Sequence, residues 1–209
     1  RELAAMEVKD LLAGTRFEGS PIVETSATEG SGLSELTTTL VESLSQASEM
    51  EAGPWYLPID RVFTVKGHGT VVTGTLAGSP VAEGADAVVE PGEIQVRVRS
   101  VQSHDAGLKE ALPGTRVALN LGGIRKEDLR RGMTVSQPGA VFATTCFDAD
   151  LRWVSEPKHG ARVRVSIGAE EAIGKLFLSD HDPKLVQIRL ETPVAAAKRQ
   201  PLIVRRYSP

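Results

Sequence analysis

The sequence lacks the residues that mark several common classes of protein. Its one cysteine, Cys146, excludes an internal disulfide framework and indicates a reducing compartment. No run approaches the roughly 20 apolar residues that a membrane-spanning helix needs, and no basic-then-apolar signal opens the chain. We therefore expect a cytoplasmic protein without a membrane partner.

Aromatic residues and basic charge are also scarce. Aromatics make up 4% of the chain, so its cores must consist of Val, Leu, Ile and Ala. The net charge of -3 argues against a protein that binds nucleic acid by non-specific attraction alone. The charge is unevenly spread, however. Residues 1–50 contain 3 basic and 9 acidic residues, and residues 51–140 contain 10 of each. Residues 141–209 contain 11 basic and 8 acidic residues. A polyanion would prefer the last segment.

Complete catalytic motifs are missing as well. The phosphate loop G-x-x-x-x-G-K-[ST] is absent, because Gly168 to Gly174-Lys175 is one residue too long and Leu176 replaces the hydroxyl that binds Mg²⁺. The four histidines have no metal-ligand spacing with Cys146, for which a small buried position is expected. The sequence thus predicts no catalytic residue and no metal site.

The first 52 residues have the pattern of a small α/β unit. Apolar residues at helical spacing predict helices over residues 1–12 and 34–47, and Pro21-Ile22-Val23 is a candidate for a short buried strand. The loop Ser26-Ala27-Thr28 stands between this strand and the second helix. Such a loop either caps the helix or presents backbone N–H groups to a ligand.

The rest of the chain predicts short β-strands separated by turns, as in barrels or sandwiches. Strands are predicted at residues 57–65, 70–77, 87–90, 93–103, 115–121, 133–135, 144–154, 162–167, 175–178, 185–190 and 202–204, with a helical turn within 124–131.

One segment carries a specific resemblance. Residues 58–75, PIDRVFTVKGHGTVVTGT, place two β runs around a glycine-rich turn. They resemble the opening of the second domain of elongation factor Tu and its relatives, where V-F-x-(V/I)-x-G-x-G-T-V-x-T-G begins a β-barrel. Within that superfamily, the stretches VRVRSVQ at 96–102, PGTRVALNL at 113–121 and IVRRYSP at 203–209 resemble the selenocysteine-specific elongation factors of the SelB type.

The resemblance implies a mainly β protein, with two small elongation-factor-type β-barrels after an α/β remnant of a P-loop GTPase domain. The implied boundaries are 1–52 for the end of the GTP-binding domain, 53–139 for the second domain and 140–209 for a third domain that is incomplete at its C-terminus. The start at Arg1, without a Met, fits a piece of a longer protein.

The same resemblance implies an aminoacyl pocket formed by Asp60, Arg61 and Arg116, with Phe63 as an apolar wall. Selenocysteine is largely an anion at neutral pH because a selenol is more acidic than a thiol or an alcohol. Two guanidiniums therefore favour it over neutral serine, and Asp60 keeps one of them oriented. The alternative is a solvated surface pair of negligible energy.

Further contacts are implied more loosely. His104 corresponds to a position near the tRNA acceptor end or is a surface-turn histidine, and Ser26, Ala27 and Thr28 correspond to a loop that contacts guanine. Basic residues of the third segment either meet tRNA phosphates or are merely solvated; these are Arg152, Lys158, Arg162 and Arg164.

The function implied is GTP-dependent delivery of selenocysteinyl-tRNA to the ribosome by a longer parent that uses GTP and Mg²⁺. Residues 1–209 lack the phosphate loop and switches, so we expect no cofactor and no GTPase activity in them alone. A selenocysteine-insertion mRNA hairpin would bind a C-terminal region absent from these residues. The alternatives are a generic elongation or initiation factor for ordinary aminoacyl-tRNA and a stand-alone protein-interaction module.

Overall fold

The computed structural model describes residues 2–45, 53–65, 67, 69–104, 106–155, 157–182 and 184–207. The architecture is mainly β, as predicted, with two β-barrels following a helical segment along the chain. Two compact units are distinguished: one contains residues 1–49 and 154–156, and the other contains residues 50–153 and 157–209. The predicted boundaries at 52/53 and 139/140 stay predictions.

The first unit contains two helices, α1 (Glu2–Leu12) and α2 (Leu33–Ser45). The second helix was predicted to reach residue 47, and residues 46 and 47 lie outside the described part. The strand predicted at residues 21–23 is wrong, since residues 20–26 are described and none is in a strand. A parallel strand needs a neighbour to receive its backbone hydrogen bonds, and residues 2–45 contain no other strand.

Ten strands and one short 3₁₀ helix form the first barrel. They are β1 (Tyr56–Pro58), β2 (Arg61–Val65), β3 (Gly69–Thr75), β4 (Val81–Ala82), β5 (Asp86–Glu90), β6 (Ile94–Ser103), β7 (Ala106–Leu108), β8 (Glu110–Ala111), β9 (Arg116–Gly122), the 3₁₀ helix Lys126–Asp128 and β10 (Thr134–Ser136).

The main sheet of this barrel is antiparallel and closes on itself. Its strand order is β1-β10-β5-β6-β9-β3-β2, and β7 pairs with β6. β1 also meets the chain that leaves β3, because Tyr56 and Ala77 exchange two backbone hydrogen bonds of 3.0 and 2.9 Å. Strand β2 forms a hairpin with β3 and lies at the end of the sheet.

The interior of the first barrel is filled by aliphatic side chains, as the scarcity of aromatics requires. The fully buried ones include Leu57, Val72, Val89, Leu119 and Val135, which come from five different strands. Because side chains alternate between the two faces of a strand, the residues next to these point outward. The outward face of β2, β3 and β9 carries the residues predicted to form the aminoacyl pocket.

The second barrel consists of five antiparallel strands. They are β11 (Val141–Asp150), β12 (Arg162–Ile167), β13 (Glu170–Leu178), β14 (Leu185–Ala197) and β15 (Leu202–Arg206), in the order β11-β14-β13-β12-β15. Its separate core is centred on Val165, Leu176 and Ile188. Both barrels belong to the same compact unit, and Ala140, Val141 and Ala195 pack with Tyr56 of the first barrel.

Candidate functional site

Strand register places the predicted pocket residues on one face. Arg61 on β2 lies opposite Thr73 on β3, and Thr73 lies opposite Ala118 on β9. Arg116 precedes Ala118 by two residues and Phe63 follows Arg61 by two, so all these side chains share the outer face of the three strands. The inner face of the same strands carries Val72 and Leu119, which are fully buried.

Asp60 precedes β2 at the edge of this face and is the residue that the two arginines share. Its backbone N–H donates to the Thr73 carbonyl at 2.8 Å, which holds the residue beside β3. Arg116 Nη2 donates to Asp60 Oδ2 at 2.7 Å, whereas Arg61 Nε lies 3.9 Å from the same oxygen. The Arg61 side chain is 74% exposed and that of Arg116 is 54% exposed. Arg61 is therefore the more loosely held charge.

The charges around Asp60 change its acidity. The hydrogen bond from Arg116 holds the pKa of Asp60 below its usual value, and the positive charges of Arg116, Arg61 and Arg131 act in the same direction. Arg131 was not among the predicted pocket residues. It lies close because Gly132 donates its backbone N–H to the Ile59 carbonyl at 3.0 Å, which brings residues 131 and 60 to adjacent chain segments.

Phe63 supplies an apolar surface on the same face. The residue is 38% exposed, and its register partner on β3 is Val71, which is buried. Phe63 thus places an aromatic ring on the outer face, two residues along β2 from Arg61. The face thus combines one carboxylate, two guanidiniums and one apolar side chain, and the positive charge of Arg131 acts on Asp60 from the neighbouring chain segment.

His104 lies at the border of this face. Its neighbour Ser103 connects it to the face by hydrogen bonds. Ser103 Oγ donates to the Arg116 carbonyl at 2.9 Å and is 3.1 Å from His104 Nδ1. Because the serine hydroxyl has only one proton, Nδ1 must carry the proton in the second bond. Nε2 of a neutral His104 is then an acceptor. This link could not be seen in the sequence, because residues 103 and 116 are 13 positions apart.

Comparisons with known proteins point to one group. No protein-family model matches the chain. The selenocysteine-specific elongation factor of Desulfomicrobium baculatum is 35% identical over 219 residues, which span the whole chain and 34% of that protein. Elongation factor 1-alpha of Pyrococcus furiosus is 28% identical over 218 residues, covering 90% of the chain and 50% of that protein.

Solved structures agree. A bacterial selenocysteine-specific elongation factor, EF-Sec, superposes with a TM-score of 0.83 at 28% identity, covering 99% of this chain and 35% of its own. Over its whole length the chain is similar to SelB-type translation elongation factors. SelB of Methanococcus maripaludis in complex with the GTP analogue GppNHp has the same fold, with a TM-score of 0.86 at 22% identity over 98% of this chain and 51% of its own. The chain spans between about a third and a half of the length of these relatives.

The loop predicted to contact guanine forms a compact turn. Ser26 N–H donates to the Ser31 carbonyl at 3.0 Å, and Ser26 Oγ lies 3.2 Å from Thr28 Oγ1. The amides of Ala27 and Thr28 donate no hydrogen bond to any described residue. Binding the phosphates and Mg²⁺ would require groups beyond this loop, because residues 1–209 contain no phosphate loop.

Two of the basic residues predicted to meet tRNA are held by carboxylates. Arg162 Nη2 is 2.8 Å from Glu191 Oε1, and Arg164 Nη1 is 2.9 Å from Glu171 Oε1. Both guanidiniums also lie over the Tyr207 ring, at 4.3 and 5.2 Å from its centroid. Their positive charge is therefore partly compensated. Arg152 and Lys158 are exposed.

The expectation of a buried Cys146 is wrong, because the side chain is exposed. Along β11 its neighbour Phe147 packs on the second core, so alternation turns Cys146 outward. Across the described ranges, no group of three His, Cys, Asp or Glu side chains is arranged to hold a metal ion. The described helices include none that is long and apolar enough to span a membrane.

Proposed function

We propose that this chain carries the selenocysteinyl-tRNA-binding barrels of an elongation factor, and that the face containing Asp60, Arg61 and Arg116 receives the aminoacyl group. The observation that supports this proposal is the shared carboxylate: Arg116 is fastened to Asp60 at 2.7 Å, while Arg61 remains at 3.9 Å and is mostly exposed. One cation thus maintains the shape of the pocket and the other is available to a ligand anion.

Electrostatic attraction explains the proposed preference for selenocysteine over serine. One carboxylate and the two guanidiniums have a net charge of about +1, which attracts a selenolate and does not attract a neutral serine hydroxyl. Exposed ion pairs contribute roughly 0–1 kcal/mol, but a hydrogen bond to a charged group in a water-poor site contributes roughly 1.5–3 kcal/mol. The end of a bound tRNA would cover Arg61 and Phe63 and exclude water from them. The hydrogen bond from Arg61 to the ligand anion would then contribute a free energy closer to the larger of these two ranges.

GTP dependence and delivery to the ribosome are part of the same proposal. They rest on the similarity to elongation factors and on the GppNHp complex of the Methanococcus maripaludis relative. The chain's own contribution would be the amides and hydroxyls of the turn at residues 26–28 on the nucleotide side. A bound GTP and Mg²⁺ would supply the phosphate-dependent switching.

The test compares selenocysteinyl-tRNA with seryl-tRNA in the protein as its gene encodes it. We expect Arg61→Ala to lower the affinity for selenocysteinyl-tRNA about tenfold, the equivalent of about 1.4 kcal/mol, and to leave that for seryl-tRNA nearly unchanged. Arg61→Ala combined with Arg116→Ala should abolish the preference. Protection of the aminoacyl ester from hydrolysis, measured against protein concentration, provides both dissociation constants.

The matched control is Arg125→Ala. Arg125 is an exposed arginine of the same barrel and also binds an aspartate, Asp128, at 3.2 Å. Arg125→Ala should not affect the preference for selenocysteinyl-tRNA over seryl-tRNA. A double variant that still prefers selenocysteine would refute the pocket assignment. Equal affinity of the natural protein for several common aminoacyl-tRNAs would support a generic elongation factor, and a titration that shows no salt-dependent affinity for tRNA would support a protein-interaction module.

A further inference from the structure

The turn that connects β12 and β13 of the second barrel reaches the part of the first barrel where the pocket lies. It contains Gly168 and Glu170. Gly168 adopts φ +55, and a Cβ added there would lie 2.9 Å from Pro58 Cβ. Since real Cβ atoms do not approach so closely, the turn packs directly on Pro58. Asp60 follows Pro58 by only two residues.

Glu170 contacts the other chain segment beside the pocket. Its carboxylate forms an ion pair with Arg130 Nη1, and a Cβ added to Gly132 would lie 2.7 Å from the Glu170 carboxyl carbon. Arg130 Nη1 also donates to the Arg131 carbonyl at 3.1 Å. The glutamate therefore fixes both residues that flank Arg131, the third cation acting on Asp60.

The two contacted segments are joined to each other by backbone hydrogen bonds. Ile59 N–H donates to the Met133 carbonyl at 2.8 Å, and Gly132 N–H donates to the Ile59 carbonyl at 3.0 Å. A displacement of either segment would therefore move Asp60 relative to Arg131. Sites that discriminate between similar ligands require positions accurate to about 0.5 Å.

We propose that the turn at residues 167–170 positions Asp60, Arg61 and Arg131, so that the second barrel sets how strongly the first barrel prefers an anionic aminoacyl group. Gly168 and Glu170 act as positioning residues, since neither belongs to the charged face itself. Arg131 is assigned to the pocket as a third cation. The consequence for cargo rests on the proposed function, whereas the positioning of Asp60 does not.

The first experiment needs no tRNA. The Asp60 carboxyl resonance of the ¹³C-labelled 209-residue chain is titrated with pH in Gly168→Ala and in the control Gly160→Ala. Gly160 has the same left-handed backbone, with φ +73, but nothing lies within 4 Å of an added Cβ. We expect the Asp60 midpoint to rise toward its usual value only in Gly168→Ala. Equal midpoints in the two variants would overturn the proposal.

The second experiment measures cargo preference in the natural protein. Glu170→Gln, which removes the charge and keeps the shape, should reduce the ratio of selenocysteinyl- to seryl-tRNA affinity by on the order of tenfold. Glu171→Gln is the control, because Glu171 binds Arg164 and Arg205 within the second barrel. An unchanged ratio in Glu170→Gln would overturn the role in specificity. If the unaltered protein has no preference at all, the proposed function fails, and the Asp60 titration still decides the positioning.

Discussion

At the scale of single residues, the two arginines of the proposed pocket differ in their contacts, although they are the same residue type. Arg116 donates to Asp60 at 2.7 Å, whereas Arg61 stands 3.9 Å away and is 74% exposed. The first is held in position by a charge-assisted hydrogen bond, and the second keeps its freedom to meet a ligand. We therefore expect Arg116 to contribute shape and Arg61 to contribute attraction, although both carry the same charge.

Asp60→Asn should make folding stability less dependent on pH. Because the folded-state pKa of Asp60 is lowered, its stabilising effect is complete above the unfolded value of about 3.9 and is lost as pH falls through the folded value. The natural chain should therefore exceed the variant in stability at pH 7 and lose that advantage below about pH 4. Urea unfolding at several pH values measures this. In an Arg116→Ala background the difference should shrink; a difference of the same size would mean that another group is responsible.

At the scale of secondary-structure elements, one glycine allows β1 and β3 to approach. Gly74 lies on the inner side of β3, and a Cβ added there would be 2.8 Å from Leu57 Cδ2 and would collide with the Pro58 carbonyl. The absence of a side chain thus brings β3 close to the strand that leads into Asp60. Glycine in the interior of a strand is unfavourable in itself, so close packing explains its presence here.

Gly74→Ala should destabilise the chain by about 1–3 kcal/mol, because overpacking a filled core forces neighbouring side chains or backbone to move. The control is Gly107→Ala on β7, where nothing lies within 4 Å of an added Cβ. It should stay within about 0.5 kcal/mol of the natural chain, as surface changes usually do. Guanidinium unfolding of both variants provides the comparison. Equal losses would show that β1 can move away from β3.

At the scale of the whole molecule, the charge is arranged for contact with a polyanion in the last segment only. Residues 141–209 carry 11 basic against 8 acidic side chains, while residues 1–50 carry 3 against 9. Two of the basic residues, Arg162 and Arg164, are already bound to glutamates. Exposed cations without such a partner contact are the better candidates for phosphate binding.

Lys158→Ala should lower the salt dependence of tRNA binding. Each phosphate contact that is lost reduces the slope of log affinity against log salt concentration by about 0.7–0.9. Filter binding at several salt concentrations measures the slope, and Lys109→Ala, an exposed lysine of the first barrel, is the control. Slopes that are identical for the natural protein and Lys158→Ala would exclude this lysine from the tRNA contact.

Local sequence patterns were sufficient to predict the strands whose hydrogen-bond partners are other strands nearby along the chain. The alternation and turns of residues 57–122 predicted strands that the structure confirms, and the resemblance named Asp60, Arg61 and Arg116 as a set. The prediction of a strand at residues 21–23 was wrong because an apolar triplet forms a strand only beside another strand. The prediction that Cys146 is buried was wrong because residue type does not decide which face of β11 the residue occupies.

The sequence by itself thus determined the β architecture, the resemblance to elongation factors and the residue types of the predicted pocket, because these depend on local alternation and on a contiguous motif. Tertiary structure alone decided that Arg116 is joined to a carboxylate 56 residues away and that Arg131 lies near it. It also placed Glu170 of the second barrel on Arg130. The reason is physical: such contacts arise from closing one barrel and packing another against it, and neither process leaves a periodic pattern in the chain.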